Sequence, residues 1–145
     1  MIDYITADDV IIFDPQYVKP LSSELNIQSN WKKIIFSNYT LNDGLFEAYE
    51  NDDFKGLKYI GSKFNCPLCD SLDNCTELTH LTFGDHYDEH LGDFLDNCTE
   101  LTHIVFGRCF SQPLDYSLCN CPELTTLVLG DYFDQPLGNS LDNCT

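Results

Sequence analysis

Eight cysteines and four histidines are the residues of this chain best equipped for chemistry. Cys66-Pro-Leu-Cys69 has the spacing of a zinc or redox pair. His86, Asp88, Glu89 and His90 crowd one segment, a grouping that suits a metal ion or acid–base work. His80 and His103 form a second candidate pair. Asn38-Tyr-Thr40, Asn74-Cys-Thr76, Asn97-Cys-Thr99 and Asn143-Cys-Thr145 match the glycosylation sequon. So many cysteines in a small chain also suggest a disulfide framework. Spacing decides among these readings. Cys75, Cys98, Cys121 and Cys144 recur at a fixed interval of 23 residues.

The whole chain follows that interval. LTHLTFGDHYDEHLGDFLDNCTE from Leu78, LTHIVFGRCFSQPLDYSLCNCPE from Leu101 and LTTLVLGDYFDQPLGNSLDNCT from Leu124 are successive passes of one pattern. In the pass from Leu101 the apolar positions are Leu101, Ile104, Phe106, Phe110, Leu114, Leu118 and Cys121, with Gly107 after the first group and Pro113 in the second. Earlier passes open near residues 8, 31 and 57. The first carries Ile11, Phe13, Tyr17, Leu21 and Leu25, with Gln28 where the last four passes place Cys. The second carries Trp31, Ile34 and Phe36, then Leu41, Leu45 and Tyr49, and has extra residues around Glu50–Asp53. The third carries Leu57, Ile60, Gly61, Phe64, Leu68, Leu72 and Cys75. A period of this size indicates a solenoid, in which each coil buries its apolar side only against its neighbours.

These residues predict a mainly β, leucine-rich-repeat-like solenoid of about six coils, with one short parallel strand per coil and little helix. Residues 1–7 are expected to cover the first edge, and residues 8–145 to form a single domain. The first six positions alternate inward and outward as a strand. The following glycine reads as a turn residue that tolerates positive φ. Proline in the second segment argues against a full ladder there. The break at Thr145 falls inside a unit and reads as a truncated array.

Stacking settles the cysteines. A parallel column puts neighbouring Cβ atoms about 4.8 Å apart, beyond the ~3.5–4.5 Å of a disulfide, so buried free thiols are expected. In other coils the residues aligned with Cys66 and Cys69 are Gln112 and Asp115, or Gln135 and Gly138, so no metal site is predicted there. Nor does any nucleophile elbow, phosphate-cradling loop, HExxH or EF-hand loop occur. No cofactor is expected.

Seven basic against 24 acidic residues give a net charge of −17. That excludes direct nucleic-acid binding, which needs basic contacts to phosphate, and disfavours an anionic membrane. The N-terminal segment lacks the basic and apolar regions of a secretory signal, which points to the cytoplasm, where thiols stay reduced and the sequons carry no consequence.

LTHLTFG followed by Phe or Tyr and then QPL or a similar triplet resembles the FNIP repeat, best over Leu78–Gly84, Leu101–Leu114 and Leu124–Leu137. The NCTELTHL segments are similar to the BspA-type leucine-rich repeat, which places Cys just before its strand. The resemblance covers residues 57–145 closely and 8–56 loosely. It implies a leucine-rich-repeat-like solenoid of a kind abundant in giant DNA viruses and social amoebae, there often joined to an F-box. It implies a host-cytoplasmic location if the source is viral. The asparagine that follows the family's phenylalanine survives as Asn65 and is replaced by Asp88, Ser111 and Asp134. No F-box-like helical segment precedes the coils.

The outward strand positions should then form the binding surface. They are Val10 and Ile12, Lys33 and Ile35, Tyr59, His80 and Thr82, His103 and Val105, and Thr126 and Val128. A strip of apolar and aromatic residues rimmed by charge suits a protein partner. The expected function is a non-enzymatic interaction module or scaffold, docking through Tyr59, His80, Thr82, His103, Val105, Thr126 and Val128. Two alternatives are a self-associating array growing through the strand Leu124–Leu129 and a metal-dependent enzyme using the His86/His90 loop.

Overall fold

Strand-forming runs rich in β-branched residues recur in five of the six passes, and each pairs with the next. The computed structural model describes residues 2–21, 31–68 and 71–144. The readings made for Leu25, Gln28, Cys69 and Thr145 lie outside them. Six strands form one sheet in chain order: β1 (Tyr4–Ala7), β2 (Val10–Phe13), β3 (Lys33–Phe36), β4 (His80–Thr82), β5 (His103–Val105) and β6 (Thr126–Val128). Among the described residues a single helix, α1 (Leu45–Asn51), interrupts the series. β1 runs antiparallel to β2 and covers its outer edge. All later pairs are parallel. The result is a β-solenoid of about five turns.

Strict register builds the core. Ile11, Ile34, Leu81, Ile104 and Leu127 form one inward row. Phe13, Phe36, Phe83 and Phe106 form a second, with successive rings 5.0, 5.6 and 5.5 Å apart. Tyr17, Phe64, Tyr87, Phe110 and Phe133 make a parallel file at 6.0–6.2 Å. Within a coil the two files touch: Phe83 lies 3.9 Å from Tyr87, and Phe106 lies 3.9 Å from Phe110. Each stacked pair adds about 0.5–1.5 kcal/mol beyond area burial.

One coil differs from the sequence expectation. The pass that opens at Leu57 contributes no strand, and β3 pairs directly with β4, Lys33 against His80. Thr79, which bonds to Lys32, lies 47 residues after it. Phe36 stacks on Phe64 at 4.2 Å, so the strand of the second pass and the second half of the third make a single turn. Residues 37–61 are an insertion that leaves the stack. It folds through α1 and returns on an antiparallel bridge between Tyr39 and Tyr59. Helix α1 buries Leu45 and Ala48 and ends at Asp52 in the left-handed region. Gly61, at φ +86°, turns the chain back toward the core.

Polar columns hold the stack laterally. The side-chain oxygens of Asn65, Asp88 and Ser111 each accept a backbone N–H from the next coil, at 2.9, 2.9 and 3.2 Å. This explains why Asn, Asp and Ser interchange there: each supplies an acceptor. The carboxamides of Asn97 and Asn143 donate to carbonyls one coil back. The glycines after β4, β5 and β6 serve close approach rather than positive φ, contrary to the turn reading. A Cβ on Gly107 would lie 2.1 Å from the Gly84 carbonyl oxygen, and one on Gly130 2.2 Å from that of Gly107. Among the described residues no helix is long and apolar enough to cross a membrane.

Candidate functional site

The outward sheet face divides into two halves. Over β1–β3 the insertion covers it. Ile12 and Ile35 are 0% and 4% exposed, packed with Leu45 and flanked by Ile5, Val10, Phe46, Tyr49 and Leu57. Strand alternation does point Val10, Ile12, Lys33 and Ile35 outward, but α1 removes the two isoleucines from solvent.

Over β4–β6 the face stays open. His80, His103 and Thr126 form one row, and Thr82, Val105 and Val128 a second. All are half-buried except Val128, which is exposed. The structure therefore brings six of the seven expected docking residues together. Tyr59 is separate. It lies in the insertion with its ring edge-on to Tyr39, and its hydroxyl donates to the buried Asp85 carboxylate. Burial and that carboxylate raise the Tyr59 phenol well above its ordinary range. Tyr59 thus fastens the insertion to the coil, helped by Asn38, whose side-chain oxygen accepts from Ser62 and Asp85 backbone amides.

The two histidines are ordered. Their rings stack 4.2 Å apart at 11°. Each is held by the threonine before it: Nδ1 of His80 lies 2.8 Å from Thr79 Oγ1, and Nδ1 of His103 2.8 Å from Thr102 Oγ1. Each threonine hydroxyl also lies 3.0 Å from a carbonyl oxygen one turn back, that of Lys32 or Thr79. A hydroxyl has one proton. Spending it on the ring would set two oxygens lone pair to lone pair at that separation. The consistent network runs Nδ1–H to Oγ1 to carbonyl, which leaves Nε2 of both rings as an acceptor. Burial, reinforced by His103 and Lys33, lowers the His80 pKa to about 4, so this ring is neutral at pH 7.

Where covered and open halves meet, a cavity of about 330 Å³ forms a step. Its floor is Val10, Lys33, Ile35, His80 and Thr82. Phe46, Tyr49 and Glu50 of α1 make one wall, and Ala7 at the end of β1 with Asp8 and Asp9 of the following turn make another. Only the floor was legible from strand alternation. The walls come from the insertion and the turn, whose contacts no repeat pattern encodes.

The remaining candidates are placed differently. His86 Nδ1 bonds to the Ser62 carbonyl, and the Gly92 N–H donates to His90 Nδ1, so both rings are tied to backbone. Among the described residues no group of three or more His, Cys, Asp and Glu is arranged to hold a metal ion. Cys66 donates to the Val18 carbonyl. Cys75, Cys98 and Cys121 are buried free thiols stacked as expected, with Cys144 half-buried beyond them. Cys121 and Cys144 reach toward the carbonyl of the cysteine one turn back, at 3.7 and 3.6 Å. Burial pushes the thiols of Cys98 and Cys121 up to about 12 and that of Cys75 to about 11.

No protein-family model, curated protein or solved structure matches this chain.

Proposed function

We propose that this chain is a non-enzymatic interaction module that docks a protein partner on the open half of its outward face. One observation carries the reading: the insertion buries the face over β1–β3 and leaves a rigid two-row strip over β4–β6. A strip of His, Thr and Val set in a strongly acidic surface fits the pattern of a less charged interface centre with a polar rim. Its backbone is fixed by the ladder, so little ordering cost opposes binding. The net charge of −17 argues for a protein rather than a nucleic acid. The likeness of the coils to FNIP and BspA-type repeats fits a scaffold role.

The test places a photo-crosslinking residue at Thr126 and isolates adducts from the native cell. One defined protein adduct is expected, lost when His80, His103 and Val105 are changed together to Asp while circular dichroism is unchanged. Retention of the adduct in that folded variant would remove the strip from consideration.

A second reading is self-association through β6. This strand is paired on one side within the described sheet, and Leu127, Leu129 and Phe133 beneath it are only partly buried. A molar mass by light scattering that holds at the monomer value across concentrations would eliminate it.

A further inference from the structure

We infer that the step beside α1 receives a cationic side chain, an arginine for preference, presented by the protein partner whose neighbouring residues lie along the open strip. This rests on the strand-face reading and goes further by naming the chemistry of the anchor.

Three observations converge. First, the step is a cavity of about 330 Å³, at the small end of ligand pockets, a scale that suits one long side chain rather than a whole ligand. Second, its walls are graded. Val10 and the rings of Phe46 and Tyr49, partly exposed above the buried Ile35, offer apolar surface for a methylene stem, and Asp8, Asp9 and Glu50 line the same step. None of these three carboxylates is in a salt bridge among the described residues; the ion pair found there joins Lys19 to Asp3. Third, the adjoining histidines add acceptors, not donors. Their Nδ1 protons are committed to Thr79 and Thr102, which leaves Nε2 of His80 and His103 with free lone pairs. A surface rich in acceptors calls for a ligand rich in donors. Guanidinium has five N–H donors, no acceptor and a flat face suited to aromatic walls.

Lys33 is the opposing group. It lines the same step and bears a positive charge close enough to help lower the His80 pKa. It gives the inference a sign that can be tested. Removing Lys33 strengthens a cation site and weakens an anion site.

The experiment is an amide NMR titration of the full chain with a blocked pentapeptide, acetyl-Thr-Val-Arg-Val-Thr-amide, and with its citrulline counterpart, which keeps the shape and loses the charge. The arginine peptide is expected to shift Lys33, Phe46, Tyr49 and Thr82 saturably and to bind about ten-fold more tightly than the citrulline peptide. Lys33→Ala should tighten arginine binding several-fold. Combining Asp8→Asn, Asp9→Asn and Glu50→Gln should reduce it to the citrulline level. Asn tolerates the left-handed backbone of Asp8, at φ 52°, so this variant should fold, as an unchanged spectrum elsewhere would verify.

Equal binding of both peptides on the strip would overturn the cationic anchor while leaving the strand-face reading intact. Weaker binding by Lys33→Ala would mark an anion site and overturn it. So would unsaturable shifts spread over distant carboxylates such as Asp131 and Asp142. Failure of both peptides to shift any amide would overturn it too, and the cross-linking at Thr126 would then judge the strand-face reading separately. Arg108 is the one arginine of the sequence and lies over the Tyr132 ring, 5.7 Å from its centroid; dimerisation without peptide that Arg108→Gln abolishes would replace the partner by a second copy and also overturn the inference.

Discussion

The cysteine column shows how a reactive residue type is made inert by position. Cys98 and Cys121 are buried between coils, the Cys121 thiol facing the carbonyls of Leu95 and Cys98, and burial holds both thiols neutral. Relative to a free thiol at about 9, a value near 12 leaves roughly a thousand-fold less thiolate. Alkylation followed by mass spectrometry should label the half-buried Cys66, Cys109 and Cys119 first. Cys75, Cys98 and Cys121 should react two to three orders of magnitude more slowly than in urea. The opposite behaviour belongs to His80. Its folded pKa of about 4 lies below the ordinary 6.5, so between those values the unfolded chain binds more protons. Stability from this residue is therefore present above pH 6.5 and lost as pH falls toward 4. Thermal melts of the wild type and His80→Gln should converge as pH drops through that window. A constant difference between the two would contradict the assignment. Its neighbours in that titration are His103 on β5 and Lys33 on β3, both of which disfavour the charged form.

At the scale of elements, the insertion is what turns a repeat into a particular surface. Helix α1 has seven residues and no side-chain N-cap bond, too short to persist alone. It holds because Leu45 closes over Ile12 and Ile35, and because the Tyr49 hydroxyl bonds Ser37 inside the turn. Leu45→Ala should cost about 2–4 kcal/mol in urea unfolding and should raise hydrogen exchange in β2 and β3 before β5. Equal exchange along the whole stack would show that the insertion is not a separate unit. The period alone misplaced this region. Leu57, Ile60 and Gly61 carry the spacing of a strand start, yet Leu57 packs against α1 and the Ile60 amide bonds to Asn38. An apolar pattern specifies which side chains want burial, not which neighbour buries them. Two half-passes that fuse into one turn look, in sequence, like one long pass followed by one short pass.

For the whole molecule, stacking places like on like in the inward columns and at many turns, and charge is the property that this penalises. Apolar, aromatic and acceptor columns gain from repetition, whereas carboxylates at the turns repel. With a net charge of −17, salt should stabilise the fold. Raising ionic strength from about 0.01 M to about 0.15 M should shift the melting temperature upward by several degrees, because the screening length contracts from about 30 Å to about 8 Å. A melting temperature that falls over this range would mean that attractive pairs outweigh repulsion. The aromatic files supply the counterweight. Phe106→Ala removes contacts to Phe83 and Phe110 at once and should cost about 3–5 kcal/mol by denaturant titration.

The amino-acid sequence by itself determined the solenoid, the inward rows from Ile11 to Leu127 and the thiol column. All follow from a constant period that forces equivalent residues to lie over one another, and nearest-neighbour stacking is all that such a period needs. It also placed His80 beside His103. Only the tertiary structure decided that β3 meets β4 across the insertion, that α1 closes half the outward face, and that a step lined by Asp8, Asp9 and Glu50 opens at the boundary. Those features depend on contacts between segments that share no repeat position, where packing and chain path, rather than periodicity, choose the partner.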